Sequence, residues 1–232
     1  MYKYFKGEIY KLICSKFIYI TLIIVFIYSL FANYLYLNAP EMEIYSNFIS
    51  EYLLLFLALS LFYASTLFTD EYYFGTINDL KNNKLLFSKL LMILVYLLFL
   101  LIVAFFFTFD IAFFLQRVPS LSLSLFQNMI IDYIKILPML IIINLSCLLI
   151  SLVFLKSNLA LGFSYGLYIL CGYIGNLIIS KGYEKLYFLP FFHWNFNSLL
   201  LERFKIWESL LICFLTIGIA IFLIFILFNK RK

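Results

Sequence analysis

Lys89 to Asp110 reads KLLMILVYLLFLLIVAFFFTFD, an unbroken apolar run held between one base and one acid. At 1.5 Å per residue such a run makes a helix about 30 Å long, the thickness of a bilayer's hydrocarbon core. The same spacing recurs along the chain. Glu51 and Asp70 bracket a second run, Lys135 and Lys156 a third, Glu208 and Lys230 a fourth, with separations of roughly 19 to 22 residues. Long apolar runs occur six times in the 232 residues, at roughly 17–37, 52–68, 90–109, 136–155, 159–180 and 209–228. The expected fold class is therefore all-α integral membrane, a single transmembrane domain over 1–232 with six transmembrane helices joined by mostly short loops.

Composition excludes the soluble alternatives. The chain is 66% hydrophobic and 12% charged, with a mean hydropathy of +1.05. Ordinary soluble domains carry about 25% charged residues, enough to cover a core that this chain could not cover. The net charge of +5 suits contact with anionic inner-leaflet lipid. No nucleic-acid partner is expected, because the bases are dispersed and sit at span ends. The first apolar run is about 21 residues, longer than a signal-peptide core, and reads as a retained span. The 29 Phe and 19 Tyr read chiefly as lipid-facing side chains.

Ahead of the first span lies an amphipathic prelude. Tyr2, Phe5, Ile9, Leu12 and Ile13 recur at helical spacing, while Lys3, Lys6, Glu8 and Lys11 fall largely elsewhere on the wheel. This predicts an interfacial helix, with Phe5, Glu8, Ile9 and Lys11 as its characteristic residues. Lysine and arginine set the orientation. With both termini in the cytoplasm, eleven bases lie inside (Lys3, Lys6, Lys11 and Lys16 at the start, Lys81, Lys84 and Lys89, Lys156, and Lys230, Arg231 and Lys232 at the end) and six lie outside. The expected location is the cell membrane, multi-pass.

Within the fifth run, Gly162-Phe163-Ser164-Tyr165-Gly166 is a small-xxx-small pattern, and Gly162 and Gly166 are the candidate helix-packing positions. Pro138 falls in the first turn of the fourth span, where its missing N–H matters least. Residues 116–134 are expected to lie on the outer interface before that span. Residues 181–208, broken by Pro190 and His193, are expected to form a half-inserted outer segment before the last span.

Catalytic chemistry finds little purchase. There is no GxxxxGK[ST] phosphate loop, no HExxH and no GxSxG. Metal ligands are not expected, since His193 is the one histidine and Cys14, Cys147, Cys171 and Cys213 form no CxxC pair. No cofactor is expected in this chain and it reads as a non-enzyme. His193 with Glu184 or Glu202 is the one constellation that a membrane enzyme could use.

The distinctive segment lies between the second and third spans: Phe68-Thr69-Asp70-Glu71-Tyr72-Tyr73-Phe74-Gly75-Thr76-Ile77-Asn78-Asp79-Leu80. Gly75 can end the incoming helix in a left-handed cap, and Thr76 can N-cap a short helix with Asp79 three residues on. Ile77 and Leu80 share one face of it.

Glu71, Gly75-Thr76-Ile77 and Leu80 resemble the coupling loop of permease subunits of type-2 ABC exporters, whose pattern is roughly E-x-x-x-G-T-[IL]-x-x-L-L-x-x-P-x-S-R. The amphipathic start around Glu8 and Lys11, the six spans and the broken outer loop are similar too. The chain departs from that pattern after Leu80, with Lys81-Asn82-Asn83-Lys84 in place of the usual Pro and Arg. The resemblance implies a transmembrane permease working with cytosolic ABC ATPase subunits and a second permease subunit, as a homo- or heterodimer. It implies coupling to the ATPase through Glu71, Gly75, Thr76, Ile77 and Leu80. Small subunits of this kind look like those serving lantibiotic or bacteriocin immunity, peptide-antibiotic resistance or peptide-toxin export in low-GC Gram-positive bacteria. That suggests an amphipathic or hydrophobic peptide substrate in the lipid bilayer. An ATP-independent immunity or binding protein that sequesters such a peptide is the alternative.

Overall fold

The computed structural model describes residues 2–35, 48–73, 83–114, 123–180 and 206–230. Among these residues all regular structure is α-helical, with no strand. The helices are α1 (Tyr2–Cys14), α2 (Lys16–Leu35), α3 (Phe48–Tyr73), α4 (Asn83–Phe114), α5 (Leu123–Phe154), α6 (Ser157–Ser180) and α7 (Ile206–Lys230). Among the described residues three stretches are long and apolar enough to cross a membrane: Lys16–Leu35, Lys84–Ala112 and Leu137–Phe154. Shorter apolar stretches occupy Tyr52–Leu67 in α3 and Phe214–Phe228 in α7.

The burial pattern of α2 carries the membrane argument further than length does. Its inward residues are Thr21, Val25, Ser29, Ala32 and Asn33, which are small or polar. Its outward residues include Tyr19, Ile20, Ile23, Ile27 and Phe31, each more than half exposed. A soluble helix would reverse that order, and in water such a continuous apolar face would be an aggregation site. In lipid the arrangement is favourable, because small inward residues let helices approach and inward hydroxyls find partners. Hydrocarbon also leaves the helix as the one open-chain geometry that satisfies every backbone N–H and C=O.

The described residues group into two compact units. The first falls within Met1–Ser60 and Phe87–Lys135. Here α2 and α4 run side by side in the same direction and in register. Thr21 meets Tyr96 and Asn33 meets Thr108, and both pairs are 75 residues apart in sequence. Val25, Tyr52, Phe56, Met92, Tyr96, Leu97 and Leu100 fill the core. Rings add edge contacts, with Phe26 and Phe107 centred 5.4 Å apart at 80°.

The second unit falls within Leu61–Leu86 and Ile136–Lys232. Leu140, Ile143, Cys147 and Leu148 of α5 are buried with Leu61, Ala64 and Leu67 of α3. The Cys147 thiol donates to the Leu61 carbonyl oxygen, S to O 3.6 Å. Helix α7 buries a narrow stripe, Ala220, Ile224 and Phe228, at intervals of one turn. Only Leu155 and Lys156 separate α5 from α6. Leu155 takes the left-handed conformation, φ 53°, and its N–H bonds to Ser151 O at 2.9 Å. This is a position that glycine usually fills, because a Cβ there crowds the carbonyl.

One local expectation is corrected. Residues 123–134, expected as a loop, are the opening turns of α5, and Pro138 therefore lies inside a helix rather than in its first turn. The physical reason is plain in the sequence. From Phe126 to Leu137 there is neither glycine nor proline, so nothing interrupts helix propagation until Pro138, which removes one bond to the turn before it. Lys89, which brackets the apolar run at its N-terminal end, is 1% exposed.

Candidate functional site

Helix α1 ends at a bend on Ser15, and the chain itself explains the break. Ser15 turns its own Oγ back onto Leu12 O at 2.7 Å, and its N–H reaches the same carbonyl at 3.1 Å. Its carbonyl then accepts from Ile18 N–H at 3.3 Å. Serine is a favoured residue at such a boundary because its hydroxyl competes with the helix ladder. α1 is thus set off from α2 as a separate amphipathic piece.

The inward face of α1 carries Glu8 and Leu12, both buried, with Phe5 and Ile9 half-buried. Glu8 is the exception to the sequence reading, which grouped it with the outward lysines. Lys89 is the reason it turns in. The Lys89 ammonium lies 3.4 Å from Glu8 Oε2, and Lys11 lies 3.0 Å from Glu8 Oε1. The Lys89 and Glu8 side chains are 2% and 7% exposed, while Lys11 is 63% exposed. One carboxylate therefore divides its two oxygens between a buried base and a surface base. A buried ammonium that lost this partner would be left strongly destabilised. The α2–α4 register places residue 89 level with Cys14 of the α1–α2 junction. The pair therefore lies where the apolar run of α2 begins.

Deeper in the same unit, hydroxyls tie three helices together. Tyr96 and Thr21 share a hydrogen bond of 3.0 Å between α4 and α2. Tyr52, at the start of α3, donates to Ser29 Oγ at 2.7 Å and meets Thr108 Oγ1 at 2.6 Å. Ser29 and Thr108 also bond their own helices, to Val25 O and Ala104 O. Asn33 donates to Ser29 O at 2.9 Å and to Thr108 O at 3.4 Å. The three hydroxyls of Tyr52, Ser29 and Thr108 share three protons among four contacts, an interhelical brace.

The remaining candidate residues are placed as follows. Glu71 belongs to the last turns of α3, and its side chain lies outside the described residues, as do Gly75, Thr76, Ile77 and Leu80. Residues 181–205, with His193 and the expected half-inserted segment, lie outside them too. A Cβ added at Gly162 or Gly166 would meet no described atom within 4 Å. Cys14 is exposed beside Tyr10, whose phenol is held above its ordinary pKa first by its hydrogen bond with the Cys14 sulfur and then by the negative charge of the thiolate form. Among the described residues no three His, Cys, Asp or Glu side chains come together.

Sequence reasoning missed the Glu8–Lys89 pair and the Tyr52 ladder. The first had a signal: Glu8 sits four residues before Leu12 and three after Phe5, on the apolar side of the wheel. The second had none, since nothing local joins residues 75 apart. No family model matches this chain, and no curated protein or solved structure matches it.

Proposed function

We propose that this chain is the membrane subunit of an ATP-driven exporter, a six-span permease with both termini in the cytoplasm. It would pair with a second permease copy or relative and with separate ATPase subunits. The carrying observation is the sequence pattern of Glu71, at the end of α3, with Gly75-Thr76-Ile77 and Leu80 in the connection to the long apolar α4. The inverted burial of α2 supports the membrane part of the reading. The shared direction of α2 and α4 agrees with an alternating topology in which these two helices cross in the same sense.

In this mechanism the ATPase dimer closes on ATP and presses on the short segment around Gly75–Leu80. Glu71 anchors that segment at the foot of α3. The hydroxyl ladder makes α2, α4 and the opening turns of α3 respond as one body rather than bending separately. The cargo is an amphipathic or hydrophobic peptide already dissolved in lipid, which a bundle without a charged channel suits.

The deciding experiment is purification in mild detergent with mass spectrometry, followed by ATPase assays in vesicles. An ATPase subunit should copurify, and Glu71→Gln or Ile77→Pro should abolish cargo-stimulated hydrolysis while membrane insertion persists. Peptide resistance that survives both substitutions, with no ATPase recovered, refutes the proposal in favour of ATP-independent sequestration.

A further inference from the structure

One strongly charged surface remains outside the reading above. On a wheel of 3.6 residues per turn, Lys3, Lys6, Gly7, Tyr10 and Cys14 share the face opposite Glu8 and Leu12, with Lys11 at its margin. All six are exposed. Tyr2 and Tyr10, at 78% and 69% exposure, flank the lysines, and Lys16 is exposed just past the bend.

Two constraints fix where this face lies. Its depth is set by the chain: the apolar span begins at Phe17, directly after Lys16, so α1 ends at the hydrocarbon boundary. Its roll is set by the ion pair, because Glu8 cannot reach Lys89 unless Lys3, Lys6 and Tyr10 point away from α4. Lysines and tyrosines interleaved at that depth are what a headgroup layer favours, the ammonium groups for charge and the phenols for their half-polar rings.

We propose that the outward face of α1 is a binding site for anionic phospholipid headgroups. Lys3, Lys6 and Lys16 donate to phosphate oxygens, Lys11 is shared between the headgroup and Glu8, and Tyr2 and Tyr10 line the edge. The site needs α1 at a membrane surface and owes nothing to ATP, so it stands or falls separately from the exporter reading.

The test uses the full chain in neutral detergent, titrated with phosphatidylglycerol, with phosphatidylcholine of the same acyl chains, and with inorganic phosphate. Thermal unfolding and native mass spectrometry are the readouts. Phosphatidylglycerol should raise the unfolding temperature and stay bound, and the other two should not. A basic residue near an anionic surface contributes about fivefold in affinity, so K3Q/K6Q/K16Q should weaken phosphatidylglycerol binding by roughly a hundredfold. K3R/K6R/K16R should keep it. Should the triple glutamine variant not be recoverable, the single variants K3Q and K6Q should each lose about fivefold. Unchanged phosphatidylglycerol affinity in the glutamine variants overturns the site. An equal response to inorganic phosphate overturns the lipid assignment, as does loss of a bound cytosolic protein with lipid binding intact.

Discussion

Replacing Glu8 by Gln removes one charge and almost no volume, yet it should be among the most damaging substitutions in the chain. Lys89 would keep its ammonium in a setting where only 2% of its side chain reaches solvent. Breaking a buried ion pair from one side costs about 3–5 kcal/mol, because the surviving charge loses the Glu8 carboxylate where little water can replace it. For a chain of this size each kcal/mol moves the midpoint by about 2–4 °C, so the unfolding temperature should fall by roughly 10 °C. The comparison that isolates the pair is a double-mutant cycle of Glu8→Gln, Lys89→Gln and the double variant, followed by thermal unfolding in detergent. The double variant should be more stable than Glu8→Gln alone, since no buried ammonium is then left without the Glu8 charge. Lys11→Gln is the internal control. Its side chain is 63% exposed, and surface pairs contribute well under 1 kcal/mol once water screens them, so its midpoint should hardly move. A Glu8→Gln midpoint within 2 °C of the parent, or effects of Glu8→Gln and Lys89→Gln that simply add, would refute the reasoning.

Tyr52→Phe removes the central hydroxyl of the ladder but leaves Ser29 and Thr108 bonded to their own helices, so the loss should be about 1 kcal/mol by the same assay. A much larger loss would mean that Tyr52 carries more than a brace. Leu155→Gly should raise the midpoint slightly, because relief of the left-handed strain, about 1–2 kcal/mol, outweighs the loss of a half-buried side chain. A fall in the midpoint would show that the packing of Leu155 matters more than its φ.

The helices were legible because their cause is local. An apolar run such as Leu90 to Phe109 can satisfy its backbone in hydrocarbon only by coiling, so composition and length suffice. The ends were less legible. α5 begins at Leu123, since the alternation of Ser and Leu imitates an interfacial loop while the following residues carry no helix breaker. The burial of Lys89 was not legible, because a lone base beside a long apolar run marks a boundary, whereas its partner Glu8 lies 81 residues away. The same limit hides the Tyr52 ladder. Thr21, Ser29, Asn33 and Thr108 each bond back within their own helix, so nothing local asks for a second partner. Their second partners exist only once α2, α3 and α4 are assembled.

That α2 is completed by a helix 75 residues further along has a bearing on biosynthesis. A ribosome adding about 5–20 residues per second delivers Tyr96 and Thr108 several seconds after Thr21 and Asn33 have emerged. During that interval the polar side of α2 has no permanent neighbour and must be shielded by lipid headgroups or by the insertion machinery. Substitutions at Thr21, Ser29 or Asn33 that relieve this wait should speed early membrane entry even as they loosen the finished bundle, so yield and stability should part company at these three residues.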